Sequence, residues 1–380
     1  YAMKHTALLI FIILFLSSCA RTPSTDESKG KYYQIDLKTA KEENFESIFE
    51  RISFIPLETI KDHEIGQIRK ILPIGDKYVL LDSQTNSIFL YKNNGKYESQ
   101  IQAIGNGPGE YVQITDFCIN EQTQEIKVLD GIQNKLLTFD LRGNFIHETK
   151  LTVYPSPLHL SHLSDSLYAF DFQRCSNTKE WQYQLIVSPE SFTGNVQKYL
   201  SYDKPLGLSF SPRTTLFSLH GETIYVPLYS STIYTVSSSQ IIPRYTFLFG
   251  DHWVDQKFID TQWNDALDFM NRLKDMRYIY YFNVLENDSH IYSDFMYKGI
   301  RYHLIVNKEN DHIYFQKETD KYKCKYTGDI MGSIDERFII ALSPDEYNER
   351  IDNTAHTHKN VHLLSEDQNP VLMLFSFSRI

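Results

Sequence analysis

The amino-acid sequence predicts an all-β protein, a six-bladed β-propeller with four-stranded antiparallel blades and small helical insertions. Short segments in which apolar and polar residues alternate recur along most of the chain and are bounded by turn residues. Leu81–Tyr97 (LDSQTNSIFLYKNNGKY) and Leu129–Phe145 (LDGIQNKLLTFDLRGNF) align without a gap, 48 residues apart. A period of about 45 residues that holds four short strands is typical of a propeller blade.

The composition indicates a large folded body and excludes several classes of protein. The chain has 380 residues, of which 42 % are hydrophobic and 14 % aromatic, too many for a disordered protein. Four cysteines are too few for a disulfide scaffold, and a net charge of −10 argues against a nucleic-acid partner. Only one long apolar run is present, which excludes a membrane protein with many spanning helices.

The N-terminal segment is predicted to be a secretory signal. A basic start is followed by an apolar run of about ten residues at 7–16, too short to span a bilayer. The run and the Ser-Ser-Cys19 that follows resemble a bacterial lipoprotein signal, which implies that Cys19 becomes the lipidated N-terminus. An ordinary cleaved signal and an anchor helix are the alternatives. Residues 1–18 are therefore assigned to the signal peptide, 19–45 to the lipidated cysteine and a tether, and 46–380 to the propeller.

The strands after the tether are predicted to form six blades in chain order. The two repeat units supply the first two blades, and degenerate copies at residues 157–201, 206–249, 277–317 and 322–380 supply the other four. Arg51–Leu57 is a spare strand, which we expect to complete the last blade and close the ring. Apolar residues at helical spacing in 255–276 and a capping-box sequence at 343–346 predict inserted helices.

Several short motifs connect the predicted propeller to a known family. Ile104–Tyr111 (IGNGPGEY) and the repeat around it resemble the six-bladed β-propeller lipoproteins of Bacteroidetes, which are related to NHL-repeat propellers. The resemblance implies the fold from about residue 50 to the C-terminus, but no common reaction. Further matching pieces lie at Phe54–Thr59, Ile65–Ile68, Pro243–Tyr245 and Asn369–Leu372.

The Gly-rich loop of this motif is the first candidate for a binding site. It connects the outer strand of one blade to the inner strand of the next, and such loops surround the channel mouth where propeller ligands usually bind. Glu110 and Tyr111 could offer a ligand a carboxylate and a phenol. The alternative is structural: Glu110 caps backbone amides of the loop and Tyr111 packs between blades.

Polar residues of the predicted inner strands are the other candidates, because inner strands line the channel. Each of them could equally be a solvated channel residue without a role in binding. The six candidates are Arg69, Asp116, His159, His162, Arg213 and Tyr281.

We predict no metal and no cofactor. His356, His358 and His362 have spacing that could suit zinc, but their segment is polar, is typical of a loop and offers no further ligands. Asp82 and Asp130 occupy equivalent positions after a strand, and turn capping explains both. Buried free thiols are expected at the three remaining cysteines, with one disulfide as the alternative: Cys118, Cys175 and Cys324.

These observations leave three hypotheses for function. The first is a lipid-anchored binding module of the cell envelope that holds a glycan, a peptide or an envelope protein at the channel mouth. The second is a metal-dependent enzyme of the lactonase or lyase kind, and the third is a purely structural partner in an envelope complex. Ala20 after the cysteine favours the outer membrane by resemblance to enteric lipoproteins. The periplasmic and cell-surface faces both remain open, since no acidic run follows Cys19.

Overall fold

A computed structural model describes residues 30–378, except 165, 207–213, 261–262, 277, 281, 322–329 and 355–362. Cys19 and the predicted signal peptide lie outside the described residues. The described strands form six sheets arranged as six four-stranded blades, and one of the sheets carries an additional fifth strand. The predicted six-bladed β-propeller is therefore confirmed.

Two strands precede the blades, and the first three blades follow the predicted repeat units. The preceding strands are β1 (Lys31–Gln34) and β2 (Phe49–Pro56). Blade I consists of β3 (Ile68–Ile74), β4 (Lys77–Asp82), β5 (Ser87–Lys92) and β6 (Tyr97–Ile101). Blade II consists of β7 (Ile114–Asn120), β8 (Glu125–Asp130), β9 (Lys135–Asp140) and β10 (Phe145–Lys150). Blade III consists of β11 (His159–Ser164), β12 (Leu167–Asp171), β13 (Tyr183–Pro189) and β14 (Gln197–Ser201).

The remaining three blades carry the helices. Blade IV consists of β15 (Leu216–Leu219), β16 (Glu222–Tyr225), β17 (Thr232–Val236) and β18 (Ile241–Leu248), and is followed by α1 (Gln256–Ile259) and α2 (Ala266–Met276). Blade V consists of β19 (Asn283–Glu286), β20 (His290–Tyr297), β21 (Ile300–Asn307) and β22 (Ile313–Lys317). Blade VI contains β23 (Gly332–Ile334), β24 (Arg337–Leu342), α3 (Pro344–Thr354) and β25 (Val371–Phe377).

The repeat in the sequence is a repeat in backbone geometry. Asn86 and Asn134 both adopt the left-handed conformation with φ of 54°, and Gly95 and Gly143 follow with φ of 83° and 84°. These conformations are unfavourable for most residues but accessible to asparagine and glycine. The asparagine and glycine that the two repeat units share are therefore the residues that shape the hairpin turns. Apolar side chains on both faces of the central strands then pack blade against blade, which accounts for the aromatic richness of the chain.

The ring closes through the predicted spare strand. β2 pairs with β25 in antiparallel register, from Phe49 opposite Phe377 to Pro56 opposite Val371, and forms the outer strand of blade VI. The last blade thus combines strands from both ends of the described chain, and β2 completes it as a four-stranded sheet.

The chain before β2 differs from the predicted tether. β1 lies parallel to β18 as a fifth strand on blade IV, and Tyr33 is only 5 % exposed because its ring stacks on Phe247. Lys41 then bridges to Gln316 on the outer strand of blade V. Residues 31–48 therefore run along the outer strands of blades IV and V, and we call them the strap. Aromatic side chains such as Tyr33 and Phe45 hold the strap in place, because they bury apolar surface against the ring. Of the described residues assigned to the tether, only Gly30 precedes this strap.

Both predicted helical insertions are confirmed. α2 buries Phe269 and Leu273 in an apolar cluster with Ile259 of α1. At the start of α3, the Ser343 N–H donates to Glu346 Oε2 at 2.8 Å and the Glu346 N–H donates to Ser343 Oγ at 3.2 Å, a reciprocal capping box. None of the helices in the described part of the chain is long and apolar enough to cross a membrane.

Candidate functional site

The Gly-rich loop at 105–111 is held together by its own side chains. Glu110 Oε2 accepts a hydrogen bond from the Gly107 N–H at 2.8 Å. Tyr111 is completely buried, and its hydroxyl lies 2.9 and 3.1 Å from two backbone carbonyl oxygens. These are the contacts of the structural alternative: Glu110 caps a backbone amide of the loop, and the Tyr111 hydroxyl lies against backbone carbonyls of blade I.

The predicted turn caps are confirmed. Asp82 and Asp130 are both fully buried, and each carboxylate accepts hydrogen bonds from the turn that follows it. Asp82 also accepts from the Gly66 N–H at 2.9 Å, and Asp130 from the Val112 N–H at 2.7 Å, in the segments that lead into the same blade. These carboxylates are occupied by backbone amides and belong to the fold.

Two of the predicted channel residues, Asp116 and His159, lie together with Lys70, which the sequence analysis did not single out. Asp116 of β7 lies 2.8 Å from Lys70 Nζ of β3 and 3.5 Å from His159 Nδ1 of β11. All three side chains are buried. Burial alone would raise the pKa of the Asp116 carboxyl, but the Lys70 ammonium and His159 outweigh burial and hold that pKa well below its usual range. We call these three residues the inter-blade brace, because they connect the inner strands of blades I, II and III.

Of the other channel candidates, Arg69 and His162 are described and lie outside this cluster. Arg69 is half-buried at a point where the register between β3 and β4 shifts. His162 is half-buried near the end of β11, and its ring meets that of Tyr168 edge-on with centroids 5.4 Å apart. Arg213 and Tyr281 lie outside the described residues.

The central channel contains a cavity of about 230 Å³ to which the inner strands of all six blades contribute. Ser161 and Ser218 line it with their hydroxyl oxygens 3.3 Å apart. Cys118 is buried beside them, and burial raises the pKa of its thiol to about 12, so the thiol stays neutral. The cavity is smaller than the roughly 300–1,000 Å³ of typical ligand pockets, so it suits water or a very small molecule. Cys118 and Cys175 are both free, as predicted, and Cys324 lies outside the described residues.

A larger depression lies between blades III and IV, on the face that also carries the Gly-rich loop. It has a volume of about 800 Å³, and we call it the blade III–IV groove. One wall comes from β13, β14 and Arg174, and the other from the β16–β17 connection and the segment between β18 and α1. Its aromatic members are Tyr229, Tyr234, Trp253 and Tyr278, and its polar members include Arg174, Gln184, Ser230, Ser231, Thr232, Asp251, Asp255 and Gln256.

The helical insertion builds one wall of this groove. After β18, Trp253 stacks on Phe249 with ring centroids 5.4 Å apart, which turns the chain toward α1. Asp255 then caps α1 by accepting a hydrogen bond from the Lys257 N–H at 3.0 Å. Ile279, just before blade V, bridges to Trp253, so the two ends of the insertion are joined to each other at the base of the wall.

The walls of the groove contain buried polar atoms that the fold does not satisfy. Arg174 Nε, Gln184 Oε1 and the Tyr229 hydroxyl are buried and have no hydrogen-bond partner within the described protein. Each buried polar group without a partner lowers the free energy of unfolding by about 1–3 kcal/mol. Arg174 does bind Asp260 of the insertion through Nη2 at 2.6 Å. Burial raises the pKa of Tyr229, so its phenol remains protonated and can donate.

The sequence predicted the helical insertion but not the groove. Trp253 and Tyr278 stand at the two ends of the insertion, and two aromatic residues that flank an interruption of the repeat are a signal that could have pointed to it. Arg174 and Asp260 lie 86 residues apart, so their pairing has no local signal.

The described residues contain no group of three or more His, Cys, Asp and Glu side chains that could hold a metal ion. The three histidines considered for zinc, His356, His358 and His362, lie outside those residues. The convergent ligands that the metal-dependent enzyme hypothesis requires are therefore not found in the described part of the channel.

The other motif pieces lie mainly at the junction of blades VI and I. The Asn369 side chain accepts a hydrogen bond from the Ile65 N–H at 2.8 Å and donates to the Glu58 carbonyl and the Tyr91 hydroxyl, each at 3.0 Å. Glu58 Oε2 accepts from the Tyr97 N–H at 3.0 Å. We call these five residues the ring-closing seam, because they join β2, blade I and β25.

The motif at Pro243–Tyr245 also serves the ring. Arg244 of β18 forms two hydrogen bonds of 2.9 Å to Glu286, which is 1 % exposed on β19. Burial alone would raise the pKa of Glu286, but Arg244 and Lys308 outweigh burial and lower it. The motif therefore fixes blade IV to blade V.

Solved structures of two Bacteroides proteins have the same architecture. A Bacteroides fragilis protein described as exported is 19 % identical, with a TM-score of 0.77 over 92 % of this chain and 99 % of that one. A member of the DUF4221 family from Bacteroides vulgatus is 11 % identical, with a TM-score of 0.55 over 87 % of this chain and 97 % of that one. At these identities the likeness extends to the fold alone.

No curated protein matches the sequence. A family model described as a six-bladed β-propeller, DUF5128, matches residues 23–341, which is most of the chain and reaches from the segment before β1 to β24. The match covers five complete blades and the strand that closes the ring. The chain belongs to the DUF5128 family of six-bladed β-propellers.

Proposed function

We propose that this protein is a lipid-anchored binding module of the cell envelope and that its ligand occupies the blade III–IV groove. The observation that carries the proposal is the coincidence of open volume and unsatisfied polar groups. The groove, at about 800 Å³, has the size of a ligand pocket, and three of its wall residues have buried polar atoms without a partner.

The contrast with the other candidate positions supports this location. Glu110 is engaged within the Gly-rich loop and Tyr111 with backbone carbonyls of blade I, while Asp116 contacts both Lys70 and His159. Polar groups that already have buried partners gain little from a ligand, because binding would first break those contacts. The unpartnered polar atoms in the groove wall have no such contact to break.

The course of the N-terminal strap favours a groove that faces away from the anchor. β1 enters beside the beginning of β18, where Gly30 lies so close to the Pro243 carbonyl that a Cβ would come within 2.5 Å of it. The groove opens at the other end of β18, beside Gly250 and Asp251. The described chain therefore begins on the face opposite the groove, which favours a groove that stays accessible in an anchored protein.

We propose that the protein is located at the outer membrane. The lipoprotein-like sequence that ends at Cys19 supports it, and the structurally similar Bacteroides fragilis protein is described as exported. Labelling of cells with a fatty-acid analogue is expected to mark the wild-type protein and not Cys19→Ala. Label on the variant would contradict the anchor but would leave the groove proposal to its own test.

That test is a ligand screen by thermal unfolding of the soluble body, residues 20–380, with two variants of the same blade. Ser231→Trp places a bulky ring in the groove, and Ser238→Trp places the same ring at the exposed turn between β17 and β18, the opposite end of the blade. A ligand that binds the folded state raises the melting temperature in proportion to the logarithm of its concentration. We expect this rise in wild type and Ser238→Trp and not in Ser231→Trp. An equal rise in all three would place the ligand elsewhere.

A further inference from the structure

We propose that the blade III–IV groove binds a neutral oligosaccharide. This inference rests on the proposed function and names the class of ligand for the same groove. It follows from three properties of the lining: the rings that it exposes, the mixture of hydrogen-bond donors and acceptors, and the balance of charge.

The aromatic rings of the groove are held in place from behind. Trp253 and Tyr278 are each half-buried, and Trp253 is stacked on Phe249 while Tyr278 meets Phe258 edge-on at 6.1 Å between centroids. A ring that the protein already immobilises loses little conformational entropy when a ligand covers it. The C–H faces of pyranose rings are apolar and flat, and they pack on aromatic faces in the way that other apolar surfaces do.

The polar groups of the lining act as both donors and acceptors. Ser231 contributes a hydroxyl group, the Thr232 hydroxyl is shared with that of Thr246 at 2.9 Å, and Gln184 has a buried amide oxygen without a partner. Gln256 uses its amide nitrogen on Asp260 at 3.0 and 3.1 Å, which directs its amide oxygen to other donors. Sugar hydroxyls donate and accept at once, so they match such a lining better than a ligand that only accepts or only donates.

The charge of the lining argues against an anionic ligand. Arg174 is the one cation among the residues that line the groove in the described chain, and its guanidinium is bound to Asp260 at 2.6 Å. Asp251 and Asp255 are exposed carboxylates in the same lining, and they would repel a phosphate or a uronic acid. Neutral hydroxyls can donate to these carboxylates. A cationic ligand could pair with the same carboxylates, so the experiment below includes a cationic probe whose binding would contradict the proposal.

The experiment is titration calorimetry on the soluble body with defined probes. Maltohexaose, cellohexaose, xylohexaose and mannohexaose represent neutral oligosaccharides, while oligogalacturonate and glycine betaine represent anionic and cationic ligands. The variants are Tyr278→Ala, which removes a ring of the groove, and Tyr32→Ala, which removes an exposed ring on β1. Tyr278→Phe keeps the ring, and its binding shows whether any loss in Tyr278→Ala comes from the ring rather than from misfolding.

We expect at least one neutral oligosaccharide to bind wild type, Tyr32→Ala and Tyr278→Phe alike, and to bind Tyr278→Ala about tenfold more weakly. Without binding of any neutral probe, oligogalacturonate binding that Tyr278→Ala weakens would overturn the neutrality of the ligand, and glycine betaine binding that Tyr278→Ala weakens would overturn its saccharide class. Either result would leave the groove as the site. Oligosaccharide binding that neither Tyr278→Ala nor Ser231→Trp weakens would overturn the assignment of the groove as the binding site. Absence of binding by all four neutral probes would overturn the saccharide proposal.

Discussion

The ring-closing seam and the inter-blade brace differ from the blade III–IV groove in how they use buried polar groups. The seam and the brace pair their polar side chains: Asn369 alone makes three side-chain hydrogen bonds and Asp116 binds Lys70. The groove leaves Arg174 Nε, Gln184 Oε1 and the Tyr229 hydroxyl without partners in the described protein. The paired clusters therefore hold the ring together, while the open site lies where the repeat is interrupted.

The largest loss of stability is expected in the inter-blade brace. Asp116→Asn removes the charge that Lys70 faces in a buried environment, and an uncompensated buried charge costs about 3–5 kcal/mol of unfolding free energy. Urea unfolding of the variant measures this loss. The double variant Lys70→Met, Asp116→Asn is expected to regain part of it because no charge is left. A loss below about 1 kcal/mol in the single variant would contradict the brace.

The next largest loss is expected at the seam. Asn369→Ala leaves the Ile65 N–H and the Glu58 carbonyl without their buried partner, and we expect a loss of about 2–4 kcal/mol in unfolding free energy. Asn310→Ala, in the exposed β21–β22 turn, is the matched control and is expected to cost less than about 1 kcal/mol. Equal losses in the two variants would show that Asn369 does not close the ring.

The stability of the inter-blade brace is also expected to depend on pH. The pKa of Asp116 is lower in the folded protein than in the unfolded chain, so its contribution is complete above the unfolded value of about 3.9 and is lost as the pH falls from there toward the folded value. One proton changes the unfolding free energy by at most about 1.4 kcal/mol per pH unit. Unfolding measured between pH 5 and pH 3 is expected to show a steeper decline in wild type than in Asp116→Asn. Parallel declines would exclude the carboxylate as the titrating group.

The smallest change in stability is expected in the groove. Gln184→Leu removes a buried amide oxygen that has no partner, so the unfolding free energy is expected to change by less than about 0.5 kcal/mol or to rise. The same variant is expected to weaken ligand binding, because the amide is one of the groups available to a ligand. A loss as large as that of Asn369→Ala would mean that the groove wall stabilises the fold as much as the seam does.

The sequence predicted the fold well because local patterns determine most of it. The shared Asn86 and Asn134, and the turn-capping Asp82 and Asp130, are local features that recur at a fixed offset, and Arg51–Leu57 was recognisable as a strand without a blade. The strap was missed because β1 is short and polar in composition, and its fifth-strand position depends on β18 far along the chain.

The candidate site could be predicted only in part. Asp116 was selected as a channel residue, but its partner Lys70 was not, although the 46 residues between them are close to the repeat period and place them on neighbouring inner strands. The groove could not be predicted, because it arises where Arg174 of blade III meets an insertion that begins after blade IV. Such a contact depends on the curvature of the whole ring, and a local sequence pattern does not predict that curvature.

The proposal on which the others depend is that the ligand site lies in the blade III–IV groove and not at the Gly-rich loop. The decisive measurement is a crystal structure of the soluble body with the tightest-binding oligosaccharide. We expect electron density for sugar rings against Trp253 and Tyr278, with hydroxyls within hydrogen-bond distance of Gln184 or Gln256. Sugar density over Glu110 and the channel mouth, with the groove empty, would refute the proposal.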